Sequence, residues 1–267
     1  MPTRTSITSR HNSHIKDAAR LRAGRERQRR GRFIIDGARE VTRALKSGIK
    51  PCEAYIRDGF VGSTEFQEAV LAIESSAAAL FQVRPDVFEK IAFGQRQQGI
   101  VVVAETPRRG VRDLEIPDKP LIAVIEGLEK PGNVGAIMRS ADAAGVNAII
   151  VASGRTDLYN PNTIRASLGT IFRPNVCDAT TAETIEWLRD KKLPIIATRP
   201  DAEKLYTEIN LAKGAAIVLG SEAEGLTDAW RTTGVTPVRL PMHGIADSLN
   251  VSTTAAVLFY EALRQRG

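Results

Sequence analysis

The sequence predicts an α/β protein in two parts, and the clearest evidence lies in its C-terminal half. Beyond about residue 117, apolar segments of strand length alternate with helical segments. The stretch before it, Glu105–Pro120, contains three prolines and many charges, which is typical of a linker. Because alternating strands and helices favour a parallel sheet with helices on both faces, the larger part is expected to have this architecture.

The larger part is expected to contain strands and helices in regular succession. The predicted strands are Leu121–Ile125, Ala148–Ala152, Ile195–Thr198, Ala215–Leu219 and Pro237–Leu240. The predicted helices fall near residues 133–144, 162–169, 181–191, 224–231 and 249–265. Ligands of parallel sheets bind beyond the carboxyl ends of the strands, so functional residues are expected in the loops that follow the strands.

The N-terminal part is predicted to form a smaller α/β unit. A polar, basic helix is expected from His14 to about Arg30. The further strands are expected at 33–35, 54–57, 81–83 and 99–104, with helices at 38–47, 65–79 and 85–92. The predicted organisation is a flexible tail (1–12), a smaller domain (13–105), a linker (106–116) and a larger domain (117–267).

The net charge of +6 is unevenly distributed along the chain. Residues 1–50 contain 14 Lys and Arg but 4 Asp and Glu, a balance of +10, which leaves −4 for residues 51–267. A basic segment on a slightly acidic body favours a polyanionic partner, either a nucleic acid or a membrane surface.

Other features narrow the class of protein. No apolar run reaches the roughly 18 residues of a membrane span, so no membrane insertion is expected. The two cysteines, Cys52 and Cys177, lie far apart, which fits a reducing cytoplasm. The three histidines show no metal-ligand spacing, and no metal is expected.

The first loop of interest follows the predicted strand at 121–125. A Pro-Gly turn leads to Asn133 and, one to two helical turns later, to Arg139. Asn133-Val134 stand where a nucleotide-triphosphate loop needs Lys and then Ser or Thr, which excludes that class of site. Helix capping alone would explain Asn133, and a solvated helix face would explain Arg139, although its apolar neighbours Ile137, Met138 and Ala141 place Arg139 beside a buried stripe.

The second and third loops combine glycines with polar side chains. Glu222 lies between Gly220 and Gly225, either as a ligand-binding group or as a carboxylate favoured by a helix dipole. In the third loop, Ser248 or Asp247 is expected to cap the last helix, with Asn250 on its first turn.

Taken together, the three loops resemble the motifs of the SpoU/TrmH branch of the SPOUT methyltransferases. The matching segments are NVGAIMRSADAAG at 133–145, IVLGSEAEGL at 217–226 and LPMHGIADSLNVSTTAAVLFYE at 240–261. The N-terminal part, through RFIIDGAREV and QQGIVVVAE, is similar to the substrate-binding domain of the subfamily that acts on large-subunit ribosomal RNA.

The resemblance implies a C-terminal SPOUT domain with a deep trefoil knot and a smaller N-terminal RNA-binding domain. It implies S-adenosyl-L-methionine as the methyl donor and a homodimer with the active site at the subunit interface. The implied reaction is methylation of a ribose 2′-hydroxyl in 23S ribosomal RNA, as housekeeping or antibiotic-resistance modification. A tRNA methyltransferase of the same family and a non-catalytic RNA-binding protein with this fold are the alternatives. The N-terminal domain argues against the first, and the retention of Arg139, Glu222 and Asn250 argues against the second.

The resemblance also implies roles for individual residues. The residues implied in catalysis are Asn133, Arg139, Glu222, Ser248 and Asn250. Those implied in cofactor binding, largely through their backbone, are Leu219, Gly220, Leu240, Met242 and Leu249, with Leu240 standing where the family often has Ile. The implied RNA contact at Arg165 is joined by candidate phosphate contacts at Arg20, Arg22, Arg25, Arg29, Arg30 and Arg32.

The family mechanism makes the arginine of the first motif a general base. Because the pKa of an arginine side chain ordinarily lies far above neutral pH, little neutral form is present, and we expect Arg139 to act electrostatically instead. A cation beside the ribose hydroxyl stabilises negative charge as it develops on the oxygen. In this scheme Asn133 and Glu222 orient Arg139 or the ribose.

Overall fold

The computed structural model describes residues 4–93, 98–154 and 157–267. These residues form two compact units. The first unit runs to Arg108 and also includes Tyr159–Phe172, and the second comprises Arg109–Leu158 and Arg173–Gly267. The return of residues 159–172 to the first unit is a feature that the sequence patterns do not indicate.

A five-stranded mixed sheet forms the centre of the first unit. Its strands are β1 (Thr5–Ile7), β2 (Arg32–Asp36), β3 (Pro51–Arg57), β4 (Ala79–Val83) and β5 (Ile100–Glu105). Its helices before residue 109 are α1 (Ser13–Arg20), α2 (Gly24–Arg30), α3 (Ala38–Lys46), α4 (Thr64–Glu74) and α5 (Pro85–Phe88). The strand order is β1-β4-β3-β5-β2, in which β5 is antiparallel to both neighbours and the other pairs are parallel.

The prediction of a flexible tail at residues 1–12 is wrong for the part that the structure describes. β1 pairs in parallel with β4, and Ile7 is only 2% exposed. The side chain of Arg4 forms an ion pair of 2.6 Å with Glu74. The strand is hard to recognise in the sequence because one of its three side chains, that of Ile7, is buried while the other two are exposed.

The single basic helix predicted from His14 to about Arg30 is also wrong, because α1 and α2 are separate helices. Arg27, a residue of α2, is buried, and its Nη1 donates to the carbonyl oxygens of Leu21 at 2.7 Å and Arg22 at 2.8 Å. These carbonyls lie in the turn between the helices. The buried guanidinium therefore stabilises the break by satisfying carbonyl groups at the end of α1.

The second unit contains the predicted parallel sheet, with six strands in the order β11-β9-β10-β6-β7-β8 and every pair parallel. Its strands are β6 (Leu121–Glu126), β7 (Ala148–Ala152), β8 (Val176–Ala179), β9 (Ile195–Thr198), β10 (Ala215–Leu219) and β11 (Val235–Val238). The helices from residue 109 onward are α6 (Pro131–Ala143), α7 (Pro161–Ala166), α8 (Thr181–Asp190) and α9 (Val251–Arg266). Of these, α7 belongs to the first unit.

Three details of the second unit differ from the predictions. The edge strand β8 was not predicted, since it is only four residues long and includes the exposed Asp178. The helix predicted at 224–231 is reduced to a 3₁₀ turn at Asp228–Trp230, after Gly225 with a φ of +68°. Within the predicted linker, Val111 and Leu114 are buried in the core of the second unit.

The register of the sheet brings the carboxyl ends of its strands to one edge. Leu219, the last residue of β10, is paired with Ile125 near the end of β6. Val238, the last residue of β11, is paired with Thr198 at the end of β9. The loops that follow these strands therefore begin level with one another, and α6 and α9, which follow two of them, pack together.

Within the first unit, three polar side chains fix the backbone at residues 92–93. Asp36 Oδ2 accepts from the Phe93 N–H at 2.5 Å, and Arg165 Nη1 donates to the Phe93 carbonyl at 2.8 Å. Arg22 donates to the Ala92 carbonyl, and its guanidinium carbon lies 4.6 Å from the centroid of the Phe93 ring. Burial raises the pKa of Asp36 to about 6, although the Phe93 hydrogen bond and the two arginines oppose this shift.

The raised pKa of Asp36 predicts a pH-dependent stability of the first unit. Since the folded protein holds this proton more tightly than the unfolded chain does, the stabilisation is complete below about pH 4 and is lost as the pH rises through about 6. One such group changes the free energy of unfolding by at most about 1.4 kcal/mol per pH unit. We expect Asp36→Asn, which keeps an acceptor for the Phe93 N–H, to remove this slope.

The measurement is urea unfolding of both proteins across this pH range, followed by circular dichroism. Tryptophan fluorescence is less suitable because Trp187 and Trp230 both belong to the second unit. An equal pH dependence in the variant and the unaltered protein would contradict the assignment.

Candidate functional site

Two of the predicted site residues, Asn133 and Asn250, bind the carboxylate of a third, Glu222. Asn133, on the first turns of α6, donates through Nδ2 to Glu222 Oε1 at 2.8 Å. Asn250, immediately before α9, donates through Nδ2 to the same oxygen at 2.5 Å. Lys130, before α6, donates to the other oxygen, Oε2. The loops after β6, β10 and β11 thus contribute one polar cluster.

The hydrogen bonds of this cluster favour the charged form of Glu222. Donation from Lys130 lowers the pKa of the Glu222 carboxyl most, with a smaller contribution from Asn133, and slight burial opposes them. The same contact raises the pKa of Lys130. Lys130 was not among the predicted site residues, and the only sequence signal for it is its place directly before the Pro-Gly turn.

Asn250 combines two structural tasks. It is the N-cap of α9, and its Oδ1 accepts from the backbone N–H of Ser252 at 2.9 Å and from the Ser252 hydroxyl at 2.6 Å. The prediction that Ser248 or Asp247 caps this helix is therefore wrong. Because its side-chain oxygen caps the helix, the orientation of the Asn250 amide is fixed with its nitrogen toward Glu222.

Arg139 does not join the cluster. It lies on α6, six residues after Asn133, which rotates it by about 240° around the helix axis. Its side chain is exposed, and within the described part of the chain it forms no hydrogen bond or ion pair. The helix α6 therefore carries one residue that joins the cluster, Asn133, and one that does not, Arg139.

A cavity of about 530 Å³ lies beside the cluster, and Glu222 forms part of its wall. Five other predicted residues line it: Gly220, Leu240, Met242, Ser248 and Leu249. The exception among the predicted cofactor contacts is Leu219, which does not line the cavity because its side chain is fully buried at the end of β10.

One wall of the cavity consists of ion pairs that the sequence reasoning missed. Arg199 Nε and Nη2 lie 2.9 Å from the two carboxylate oxygens of Asp201. Arg231 bridges Asp201 at 3.4 Å and Asp228 at 3.0 Å. These residues come from the loop after β9 and the turn before β11, and no spacing in the sequence connects them.

The shape of the Glu222 loop depends on a glycine. Residues 220–226, hereafter the Glu222 loop, close on themselves through reciprocal backbone hydrogen bonds of 3.0 Å between Ser221 and Gly225. A Cβ atom at Gly220 would lie 2.4 Å from the carbonyl carbon of Gly225. Because this contact is with backbone, it leaves no room for any side chain at position 220.

The predicted RNA-binding arginines all lie in the first unit, and they differ in their surroundings. The side chains that form ion pairs with Asp17 or Glu26 are those of Arg20, Arg29 and Arg30. Arg22 and Arg165 instead hold residues 92–93 as described above. Arg25 and Arg32 are exposed, and no ion pair engages them among the described residues.

The described residues contain neither a metal-binding cluster nor a membrane-spanning helix. Within residues 4–93, 98–154 and 157–267, no group of three or more His, Cys, Asp or Glu side chains could hold a metal ion. Of the helices in the described part of the chain, none has the length and apolar character that a membrane span requires.

Comparison with known families gives two matches that together span most of the chain. Residues 120–260 match the SpoU rRNA methylase family. Residues 12–102 match the MRM3-like substrate binding domain. The first match contains the Glu222 cluster and the cavity, and the second contains the basic helices α1 and α2.

Individual proteins similar to this chain carry related descriptions. A 23S rRNA (uridine(2479)-2′-O)-methyltransferase of Streptomyces viridochromogenes is 28% identical over 99% of this chain and 94% of its own length. A crystal structure of an RNA 2′-O ribose methyltransferase is 44% identical, covers 98% of this chain and 99% of its own, and has a TM-score of 0.83. An AdoMet-bound rRNA methyltransferase from Sinorhizobium meliloti is 26% identical, with 97% of both chains covered and a TM-score of 0.88.

The close approach of Gly220 to Gly225 predicts a sharp difference between two glycine substitutions. Gly220→Ala should destabilise the protein by about 1–3 kcal/mol, because the new methyl group overlaps backbone atoms. Gly132→Ala is the matched control, since a Cβ atom at this position of α6 would have no neighbour within 4 Å and Ala is favoured over Gly in a helix. Thermal unfolding of both variants tests this, and equal stability of the two would refute it.

Proposed function

Because this chain belongs to the SpoU rRNA methylase family, we propose that it transfers a methyl group from S-adenosyl-L-methionine to a ribose 2′-hydroxyl of 23S ribosomal RNA. The observation that carries the proposal is the Glu222 cluster with Asn133 and Asn250, placed at the wall of a cavity of ligand size. Similarity along almost the whole chain to an enzyme described as a 23S rRNA 2′-O-methyltransferase supports the substrate class. A ribosomal RNA substrate also supports action in the cytoplasm.

The residues around the cavity fit a cofactor that is both nucleoside-like and cationic. Leu240, Met242 and Leu249 offer apolar surface for an adenine ring, and Gly220 offers accessible backbone. Carboxylates such as Glu222 and Asp247 suit the positive charges of the sulfonium and the ammonium group. When bound, S-adenosylmethionine supplies a methyl group that its sulfonium already activates.

The protein must then assist a poor nucleophile, the ribose hydroxyl. We propose that Asn133, Glu222 and Asn250 form a rigid polar surface that orients the ribose, together with the Ser248 hydroxyl at the cavity. Arg139 stabilises the negative charge that develops on the 2′-oxygen, whose proton passes to water or phosphate. No described residue pairs with Arg139, so no neighbouring carboxylate offsets its field at the ribose oxygen.

We further propose a homodimer in which Arg139 of one copy serves the cavity of the other. The separation of Arg139 from the Glu222 cluster along α6 supports this arrangement. Large apolar side chains that are exposed on the third loop and α9 also support it, since a second copy would cover them. These side chains are Ile245, Leu249, Tyr260 and Leu263.

The domain organisation belongs to the same proposal. We propose that the first unit contains an RNA-binding domain and the second a SPOUT domain with a trefoil knot, close to the predicted limits 13–105 and 117–267; the predicted linker at 106–116 is not kept, because Val111 and Leu114 lie in the core of the second unit. The family matches at 12–102 and 120–260 support these limits. The N-terminal excess of positive charge supports recognition of RNA phosphates by the first domain, with shape rather than base stacking as the main mode because Phe33 is fully buried.

The central experiment is incubation of the protein with unmodified ribosomal RNA and labelled S-adenosylmethionine, followed by mapping of the modified nucleotide. We expect label on a ribose 2′-oxygen of 23S RNA. Label on a base would overturn the proposed reaction, and labelling of tRNA alone would overturn the proposed substrate.

Arg139→Ala is expected to abolish methylation while calorimetric binding of S-adenosylmethionine stays unchanged. The reason is that the substitution removes charge stabilisation at the hydroxyl but no residue of the cavity wall. Arg112→Ala, another exposed arginine of the second unit, is the control and should retain activity. Full activity of the Arg139 variant would exclude the proposed role.

Charge reversal of the two unpaired arginines, Arg25→Glu with Arg32→Glu, should weaken RNA binding. Each lost phosphate contact reduces the slope of log K against log salt by about 0.7–0.9. The control is Lys213→Glu, an exposed charge of the second unit. Binding titrations at several salt concentrations measure the effect, and an equal response of the double variant and the control would argue against this RNA surface.

A further inference from the structure

A second carboxylate, that of Glu126, lies buried at the carboxyl end of the central strand β6. Glu126 is only 2% exposed. Oε1 accepts from the Thr181 hydroxyl at 2.7 Å and the Thr227 hydroxyl at 3.0 Å, and Oε2 accepts from the Thr227 backbone N–H at 2.8 Å. Every contact is with a donor, which suits a carboxylate, because an ionised carboxyl group can only accept.

These hydrogen bonds connect three segments that are far apart in sequence. Glu126 itself begins the loop that leads to Lys130 and α6. Thr227 directly follows the Glu222 loop, and Thr181 is the first residue of α8. The carboxylate of Glu126 therefore binds two elements, the end of the Glu222 loop through Thr227 and the start of α8 through Thr181.

The hydrogen bonds from Thr227 to Glu126 hold the C-terminal end of the Glu222 loop. The first end is fixed by β10, which is hydrogen-bonded to β6 along its length. At the other end, Leu226 is buried and Thr227 is held by Glu126 through both its backbone and its hydroxyl. The loop also approaches the segment after β6 directly, since a Cβ atom at Gly127 would lie 3.9 Å from that of Ser221.

We propose that Glu126 is a positioning residue that holds the Glu222 loop in the form that binds the cofactor. This inference rests on the proposed function, because the loop is taken to bind S-adenosylmethionine. Glu126 fixes Thr227 at the end of the Glu222 loop and lies four residues before Lys130. It therefore sets the distance between Glu222 and its donors Lys130 and Asn133. It contacts neither the cavity nor the cluster itself.

The hydrogen bond from Thr181 to Glu126 provides a matched control for the hydrogen bond from the Thr227 hydroxyl. The Thr181 hydroxyl donates to the same oxygen as the Thr227 hydroxyl does. Thr181 lies at the start of α8, and neither it nor its sequence neighbours line the cavity. Thr227, in contrast, lies between Leu226 and Asp228, which both line it. Loss of either hydroxyl removes one hydrogen bond to Glu126, but only one of the two losses loosens the cofactor site.

The experiment compares Thr227→Val with Thr181→Val, which have nearly the same shape change. We expect Thr227→Val to weaken S-adenosylmethionine binding about fivefold, the effect of one hydrogen bond, and Thr181→Val to weaken it less than about twofold. Both variants should lower the melting temperature, and Thr181→Val at least as much as Thr227→Val, because the Thr181 hydroxyl also contacts the Ser153 hydroxyl at 3.0 Å. Glu126→Asp, which keeps the carboxyl group but shortens the side chain, should weaken binding on the order of tenfold because it cannot reach both threonines.

Hydrogen exchange of the cofactor-free proteins gives an independent measurement. Amides of residues 220–227 should exchange faster in Thr227→Val and Glu126→Asp than in Thr181→Val. Equal losses of cofactor affinity in the two valine variants, or unchanged affinity in all three, would overturn the positioning role while leaving the proposed function intact. A failure of the unaltered protein to bind S-adenosylmethionine would instead overturn the proposed function and this inference with it.

Discussion

The arrangement of the candidate site depends on one shared carboxylate, Glu222. Three donors from two other loops converge on its oxygens, and two of these donors, Asn133 and Asn250, are held by separate helices. Asn250 is oriented by its cap of α9, and Asn133 by its place in the first turns of α6. The carboxylate is exposed enough to serve a ligand, yet its three hydrogen bonds restrict its motion. Such preorganisation matters because a polar group that is already oriented needs no rearrangement when charge develops beside it.

The positive charge of the N-terminal segment has two uses that the composition alone does not separate. Part of it stabilises the fold: Arg27 closes the turn between α1 and α2, and Arg22 and Arg165 hold residues 92–93. Arg30 is engaged by both Asp17 and Glu26. The number of arginines therefore overestimates the number of phosphates that this unit can contact, and exposed arginines without carboxylate partners are the better candidates.

The sequence predicted the parallel sheet and six of the residues that line the cavity, because both follow from local patterns. Apolar runs mark the strands, and the three loop motifs are contiguous stretches of chain. The features it missed depend on contacts between distant residues. The Asp201 bridge between Arg199 and Arg231 leaves no periodicity, and the capping role of Asn250 differs from that expected of Ser248 by only two positions. Leu219 ends β10 next to the cavity in sequence, but it is fully buried and does not line the cavity, so the predicted backbone contact with the cofactor stays a prediction.

The two cations near the Glu222 loop also differ in what they can do. Lys130 donates directly to Glu222, so an opposite charge in contact offsets much of its field at any neighbouring oxygen. Arg139 has no such partner among the described residues, and its field is reduced only by solvent. In the proposed complex, exclusion of water by the RNA and by a second protein copy would strengthen that field at the 2′-oxygen. In the proposed homodimer, the isolation of Arg139 within one copy leaves its charge available to an alkoxide that develops at the other copy, while the contact with Lys130 favours the charged form of Glu222.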